Sequence, residues 1–225
     1  MNSFSQYRRR ISIGVLALSI WPVFTQANTQ NNQHANPSHQ RILIVGDSLS
    51  AEYGLKRGSG WVELLKGALA STYPQVEIIN ASISGDTTSG GRSRLKTLLN
   101  RSKPDIVLIE LGANDALRGL PLEMTQSNLM AMLEMVKEAG ARPIIAGMQI
   151  PPNYGREYTT AFKELFENLA KKEQAALIPF FLEGIAENPA MFQADTIHPN
   201  EQAQPTLMEN VRKVLGPMLA QPSKP

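Results

Sequence analysis

Five short apolar runs, most of them followed by a stretch with the period of an amphipathic helix, constrain the fold of this chain more than any other feature. Three of the runs are apolar almost throughout, which is typical of strands covered on both faces. The runs lie at 42–45, 76–79, 106–109, 143–146 and 176–178, and apolar helical faces lie at 61–69, 129–136, 162–169 and 207–218. Repeated β-α units with right-handed crossovers predict a five-stranded parallel sheet between two helical layers. We therefore predict a flavodoxin-like, three-layer α/β/α sandwich.

The first 27 residues have the pattern of an export signal. Three arginines at 8–10 precede an apolar run at 11–24, and small residues permit cleavage after Ala27. A membrane anchor is the alternative, but the run is shorter than the ~18 to 20 residues that a spanning helix needs. The chain has no cysteine that could carry a lipid anchor. We predict an exported protein, periplasmic or secreted, with no stable membrane span once the signal is removed.

The rest of the chain has the length of one well-buried domain. A polar stretch rich in asparagine and proline, at 28–40, is interpreted as a flexible lead-in. The folded domain is predicted at 41–220, and 221–225 is a short C-terminal tail. We find no internal repeat and no second domain boundary.

Charge and cysteine content exclude several classes of protein. The chain has 22 lysines and arginines against 20 aspartates and glutamates, and three of the arginines belong to the export signal. What remains is nearly neutral and has no basic stripe of the kind that binds nucleic acid. The absence of cysteine excludes thiol nucleophiles and zinc–thiolate sites. We predict no nucleic-acid partner.

The turn after the first predicted strand holds a candidate nucleophile. Ligands of parallel α/β sheets collect at the carboxyl ends of the strands. The first strand ends in the sequence VGDSLS, which places Ser48 at that edge. An ordinary Gly-Asp-Ser turn is the alternative. The G-x-S-x-G signature of α/β-hydrolases is absent from the chain, so that fold is not supported.

The turns after the second and third strands hold candidate hydrogen-bond donors. The small residues of NASISGDT fit either a phosphate cradle or a loop whose backbone N–H groups, notably that of Gly85, point at an oxyanion. The two nucleotide-binding signatures, G-x-x-x-x-G-K-[ST] and G-x-G-x-x-G, are absent from this loop. The third strand leads into ELGAND, where the amide of Asn114 can donate to a developing negative charge. Asparagine is also a common turn residue.

One histidine remains for the folded domain, because two of the three in the chain fall in the polar lead-in. His198 follows Asp195 by three residues in the sequence QADTIHPN, outside any apolar face. In a tight turn this spacing can bring the carboxylate to Nδ1 and leave Nε2 free to take a proton from a serine. A structural histidine is the alternative. Asp47 and Asp115 lie beside other candidate positions but adjoin no histidine, so they are interpreted as supporting or turn residues.

Taken together, these blocks resemble the SGNH (GDSL-type) hydrolases. The four residues that name that family match Ser48 in GDSLS, Gly85 in SISGDT, Asn114 in GAND and His198 in DTIHPN. The resemblance runs from about residue 41 to 219, and GDSLSAEYG, PPNYGREY and IHPNEQAQP make it strongest for the exported bacterial arylesterases, thioesterases and lysophospholipases.

The resemblance implies a serine esterase that hydrolyses fatty-acyl or aryl esters through an acyl-enzyme. It also extends the candidate substrates to thioesters and lysophospholipids. Ser48 would be the nucleophile, His198 the general base and Asp195 its orienting carboxylate. The oxyanion hole would consist of the backbone N–H groups of Ser48 and Gly85 and the side chain of Asn114. No metal or organic cofactor is implied.

Two loops that follow strand ends are apolar for surface turns, and we predict that they line an acyl groove. Their candidate substrate-binding residues are Leu117, Leu120, Ile150, Pro151 and Tyr154. Simple packing against neighbouring helices is the alternative for these loops. The expected partner is a small acyl ester or a lysolipid, and the sequence predicts no particular oligomeric state. An O-acetyl esterase of polysaccharide or peptidoglycan and a non-catalytic anion-binding module remain as alternative functions.

Overall fold

The computed structural model describes residues 39–220. The predicted signal segment, almost all of the lead-in and the C-terminal tail lie outside the described residues. Gln40 is already the first residue of a strand and is buried, because it pairs with Val76 of the neighbouring strand. The first strand therefore starts at the last residue of the predicted lead-in.

Five strands and six α-helices follow one another along the described part of the chain. The strands are β1 (Gln40–Gly46), β2 (Val76–Asn80), β3 (Ile106–Glu110), β4 (Arg142–Ala146) and β5 (Ala176–Ile178). The helices are α1 (Trp61–Ala70), α2 (Thr88–Ser102), α3 (Ala113–Leu117), α4 (Leu122–Glu138), α5 (Arg156–Glu173) and α6 (Gln204–Leu219). Two 3-10 turns, at Pro152–Tyr154 and Pro189–Met191, complete the order.

All five strands are parallel and lie in the order β2-β1-β3-β4-β5. Every residue of β3, and β1 from Ile42 on, is buried, as expected of central strands with helices on both faces. Helices α1 and α6 pack together, whereas α2, α4 and α5 form a second packed group. The predicted three-layer α/β/α fold is confirmed.

This topology brings five loops to one edge of the sheet, because the carboxyl ends of parallel strands meet there. The loops are 47–60 after β1, 81–87 after β2, 111–112 after β3, 147–155 after β4 and 179–203 after β5. Each of the sequence blocks with candidate site residues falls in one of these loops or at the start of the helix that follows. No helix of residues 39–220 is long and apolar enough to cross a membrane.

Candidate active site

The loop that precedes α6 turns back on itself and presents His198 beside Asp195. The N–H of Gln193 donates to the carbonyl of His198 at 2.8 Å, and Phe192 bridges to Pro199 in antiparallel fashion. Thr196, at the tip, has a left-handed φ of 61°. These bonds close the short DTIH segment into the tight turn that the spacing predicts.

A continuous chain of hydrogen bonds joins this loop to the turn after β1. Nδ1 of His198 lies 2.7 Å from Oδ2 of Asp195, and Nε2 of the same ring lies 2.9 Å from Oγ of Ser48. The aspartate and the serine are separated by more than half of the chain, and the sheet topology brings them to the same imidazole. All three residues are therefore placed in one cluster.

The protonation state of Asp195 decides which tautomer His198 adopts. The pKa of Asp195 is lowered to about 2. The largest cause is the hydrogen bond that the backbone N–H of His198 donates to its carboxylate, and the backbone N–H of Ile197 donates a second one. Both N–H groups lie 3.0 Å from Oδ1. An ionised Asp195 can only accept, so Nδ1 must carry the proton and Nε2 is left to accept from Ser48.

The turn that carries Ser48 is built over the buried side chain of Glu110, the last residue of β3. Oε2 of Glu110 accepts from the hydroxyl of Ser50 at 2.7 Å and from the N–H of Asp47 at 3.3 Å. A Cβ on Gly46 would lie 2.7 Å from that same Oε2, so only glycine permits this close approach. The GDSLS sequence thus folds tightly against the end of β3.

Two carboxyl groups are buried behind Ser48, and burial shifts both towards the neutral form. Desolvation raises the pKa of Glu110 well above its ordinary value, and the nearby charge of Asp47 adds to this effect. Burial is also the largest cause that raises the pKa of Asp47, to about 6, against hydrogen bonds from Leu49 and Asn114 that lower it. Burial therefore favours the neutral, protonated form of both carboxyl groups.

The predicted oxyanion-hole donors come from the loops after β1 and β2 and from the start of α3. Within residues 39–220, the backbone N–H groups of Ser48 and Gly85 make no hydrogen bond. The side chain of Asn114 donates to Oδ2 of Asp47 at 2.9 Å and to the carbonyl of Asp86 at 3.0 Å. The amide of Asn114 is thus fixed between the turn after β1 and the loop that contains Gly85.

The two aspartates interpreted as supporting residues make no hydrogen bond to the imidazole, although the charge of His198 lowers the pKa of Asp47 against the larger effect of burial. Asp47 accepts from Leu49 and Asn114, as described above. Asp115 is fully buried and accepts from the backbone and side chain of Thr88 at the start of α2. Asp115 therefore ties α2 to α3, the short helix on which Asn114 lies.

A cleft of about 840 Å³ opens at the Ser48–His198 pair. Of the predicted substrate-binding residues, Leu117, Ile150 and Pro151 line this cleft. Leu120 and Tyr154 are not among its lining residues; the carbonyl of Leu120 instead accepts from the hydroxyl of Tyr158. The remaining lining is largely apolar and includes Leu49, Met148, Phe180, Leu182 and Phe192.

Two residues at the site were not predicted from the sequence. Glu110 looks like the ordinary end of a buried strand, and only the fold reveals its contact with the turn of Ser48. Tyr53 lies in the polar loop after β1, yet its ring centroid is 4.3 Å from that of His198. Both fall in sequences that carry motif residues, Tyr53 in GDSLSAEYG and Glu110 in ELGAND, but neither sequence indicates these contacts. Within residues 39–220, no group of three or more acidic or histidine side chains is arranged to hold a metal ion.

A serine, a histidine and an aspartate joined in this order at the strand ends of a parallel sheet are the arrangement of a serine hydrolase. Residues 44–204 match the GDSL-like lipase/acylhydrolase family. Esterase TesA of Pseudomonas aeruginosa is 48% identical over 180 residues, which cover 80% of this chain and 90% of that protein. The thioesterase 1/protease 1/lysophospholipase L1 of Escherichia coli is 42% identical over 178 residues, covering 79% of this chain and 84% of that one.

The solved structure of the esterase EstA from Pseudoalteromonas superposes with a TM-score of 0.77 at 40% identity, and covers 81% of this chain and all of its own. The chain therefore belongs to the GDSL-like lipase/acylhydrolase family, and it is an ester-hydrolysing enzyme of the SGNH fold. The resemblance found in the four sequence blocks is confirmed. The alternative of a non-catalytic binding module is wrong.

Proposed function

We propose that Ser48 is the nucleophile of this esterase, with His198 as general base and Asp195 as the residue that orients the imidazole. The observation that carries this assignment is the hydrogen-bond chain from Asp195 through His198 to Ser48, which ends at the mouth of a large apolar cleft. Proximity and a correct tautomer are what such a chain must supply before chemistry begins.

The reaction follows from the geometry of the chain. Oγ of Ser48 attacks the ester carbonyl carbon while Nε2 of His198 takes its proton, and a tetrahedral oxyanion forms. The same imidazolium then protonates the leaving alcohol, and the C–O bond to it breaks to leave an acyl-serine. Water, deprotonated by His198, attacks this acyl group, and the carboxylic acid leaves as Ser48 recovers its proton.

The oxyanion would be held by the N–H groups of Ser48 and Gly85 and by the amide of Asn114. The two backbone groups have no other acceptor within the described chain, which supports the assignment. Both hydrogens on Nδ2 of Asn114 already have acceptors, so an oxyanion would share one of them in a bifurcated bond. We expect Asn114 to act mainly once negative charge has developed.

The cleft supports a fatty-acyl or aryl ester as the substrate. Its volume of about 840 Å³ and its apolar lining suit an acyl chain longer than acetate, with Leu117, Ile150 and Pro151 as the predicted contacts. Glu183 and Glu187 also line it, with no lysine or arginine among the lining residues. This charge favours a neutral or zwitterionic leaving group, as in a lysolipid, over a polyanionic one such as coenzyme A.

Export completes the proposal. The arginines at 8–10, the apolar run and the cleavage position at Ala27 support a periplasmic or secreted enzyme. The relatives named lysophospholipase and thioesterase are consistent with lysolipids or thioesters as further substrates. A single folded domain at 41–220 with a short tail is part of this proposal, with the first strand starting at Gln40.

The test is kcat/KM on p-nitrophenyl esters from acetate to palmitate, with Ser48→Ala as the blank. We expect hydrolysis to rise with chain length up to the capacity of the cleft and to vanish in the blank. Activity confined to acetate would instead identify an O-acetyl esterase. Equal rates with Ser48→Ala would refute the nucleophile assignment.

A further inference from the structure

The imidazole of His198 has one neighbour that the proposed mechanism does not use. The ring of Tyr53 lies against it with the centroids 4.3 Å apart and the planes inclined by 38°. Tyr53 is 49% exposed, so burial of its own surface does not explain its position. It is not among the residues that line the cleft. A contact with His198 is thus the feature of this side chain that bears on the reaction.

The loop that presents Tyr53 is held by its own hydrogen bonds. Glu52, with a left-handed φ of 58°, accepts from the N–H of Gly58 at 3.0 Å and from that of Gly60 at 2.7 Å. The N–H of Tyr53 donates to the carbonyl of Ser48 at 3.3 Å. The backbone of Tyr53 is therefore fixed relative to the residue that carries the reacting oxygen.

A second set of bonds fixes the same loop to the loop of His198. Nε2 of Gln193 donates to the carbonyl of Tyr53 at 2.9 Å and to that of Pro199 at 3.1 Å, so a single amide joins the residue beside His198 to the tyrosine. The contact needs glycine at 54, where φ is 70° and a Cβ would overlap the side-chain oxygen of Gln193. The tyrosine–histidine pair is thus part of a fixed interface between two loops.

We propose that Tyr53 is a positioning residue for His198, an inference that rests on the proposed function of the Ser48–His198–Asp195 chain. The aromatic ring restricts rotation of the imidazole and keeps Nδ1 on Asp195 and Nε2 on Ser48. It also presents π-electron density within the ~6 Å at which a cation is attracted to an aromatic face. Because His198 becomes positive only as it takes the serine proton, the second effect stabilises the transition state more than the ground state.

The phenol hydroxyl has no part in this role, since it makes no hydrogen bond within the described chain. Two variants therefore distinguish the contribution of the aromatic ring from that of the hydroxyl: Tyr53→Leu removes both, whereas Tyr53→Phe removes only the hydroxyl. We expect Tyr53→Leu to lower kcat on p-nitrophenyl acetate by about 2- to 30-fold, the range of a cation–π contact from exposed to desolvated. KM and the melting temperature should stay close to wild type. Tyr53→Phe should restore most of the lost kcat.

A double variant tests whether Tyr53 acts through His198. In a His198→Ala background, Tyr53→Leu should leave the residual rate unchanged, because the ring has lost its partner. A loss that persists there, a wild-type kcat in Tyr53→Leu, an effect on KM alone, or an equal loss in Tyr53→Phe would each overturn the proposal.

The same experiment keeps this inference separate from the proposed function. If His198→Ala alone retained wild-type kcat, the base assignment itself would fail. If His198→Ala lost activity while Tyr53→Leu did not, only the role of Tyr53 would fail.

Discussion

Two aspartates lie on either side of the Ser48–His198 pair and experience opposite environments. Asp47, in the turn after β1, is 1% exposed, and burial raises its pKa to about 6. Asp195, in the loop before α6, has a side chain 37% exposed, and its pKa is lowered to about 2, first by the N–H of His198. The two regions hold the same residue type with opposite shifts.

The comparison shows which environment keeps a carboxylate ionised, so that it can accept a hydrogen bond from His198. Asp195 is kept ionised by the backbone N–H groups of its own turn, whose lowering effect on its pKa outweighs the opposing effect of desolvation. Asp47 lies next to Glu110, whose pKa is also raised by burial, and serves as an acceptor for Asn114. One region thus supplies an ionised carboxylate to His198, the proposed base, whereas the other holds Ser48 and Asn114, the proposed nucleophile and oxyanion donor, through a hydrogen-bonded core.

The largest loss of kcat is expected at Asp195, the more exposed of the two aspartates. Asp195→Asn should keep the fold but lower kcat by about 10,000-fold, because the amide can donate to Nδ1 and so favours the wrong tautomer of His198. Steady-state kinetics with a circular-dichroism control on the folded variant would measure it. If Asp47→Asn lost more activity than Asp195→Asn, the two roles would have to be exchanged.

In the buried region around Asp47, the largest loss of kcat is expected at Asn114. Asn114→Ala should lower kcat by about 100- to 1,000-fold, the usual loss for one oxyanion donor, while KM changes little. Asn114→Asp is the matched variant, since it keeps the size but places a carboxylate where negative charge develops. Near-wild-type turnover in Asn114→Ala would leave the oxyanion assignment without its side-chain donor.

A smaller effect, and one that depends on pH, is expected at Asp47. Its carboxyl has a higher pKa in the folded state than the ordinary value of 3.8, so the folded protein binds more protons than the unfolded chain between about pH 4 and 6. Stability from this group is therefore present below about pH 4 and is lost as the pH rises through 6.

The test is to compare melting temperatures of Asp47→Asn and wild type across this window. The difference, variant minus wild type, should become more positive from pH 4 to pH 7, while kcat falls roughly tenfold with the loss of a charged acceptor. A difference that did not change with pH would mean that the pKa of Asp47 is not raised.

The pKa of Asp195 is shifted in the opposite direction. The stability that Asp195 contributes is therefore present above about pH 4 and is lost as the pH falls through about 2.

The smallest effect is expected at Glu110. Because burial favours the neutral form of this carboxyl, Glu110→Gln keeps a polar side chain of the same shape and should change kcat by less than about threefold. Glu110→Ala is the contrasting variant and should cost about 2 kcal/mol or more, since it opens a cavity and leaves Ser50 without its acceptor. A large loss in folded Glu110→Gln would show that Glu110 carries a charge.

The sheet could be predicted well because its central strands β1, β3 and β4 are largely buried and so are nearly continuous apolar runs. Helix α2 (Thr88–Ser102) was harder to predict: it is polar, contains two glycines and buries only Thr88, Gly91, Leu95 and Leu99. Helix α3 has only five residues and is too short to show a period. Both are fixed by tertiary contacts such as the bonds from Thr88 to Asp115, which local pattern does not reveal.

The candidate site likewise contains residues that the sequence predicts and residues that only tertiary contacts reveal. The blocks around Ser48, Gly85, Asn114 and His198 could be found because several chemically distinctive residues fall together at strand ends. Tyr53 and Glu110 could not, because their significance lies in contacts with residues distant along the chain. Among the predicted cleft residues, Leu120 does not line the cleft, and its carbonyl accepts from the hydroxyl of Tyr158, a contact between residues that are distant along the chain.

The separation of Ser48 and His198 by 150 residues has a consequence for the timing of activity. A ribosome adds about 5 to 20 residues per second, so a growing chain contains its serine on the order of ten seconds before its histidine. The two residues lie in the loops before α1 and α6, helices that pack together in part through a hydrogen bond from the N–H of Trp61 to the side chain of Gln204. Because the proposed reaction needs both residues, ester hydrolysis begins only after His198 has been added and the two loops have met.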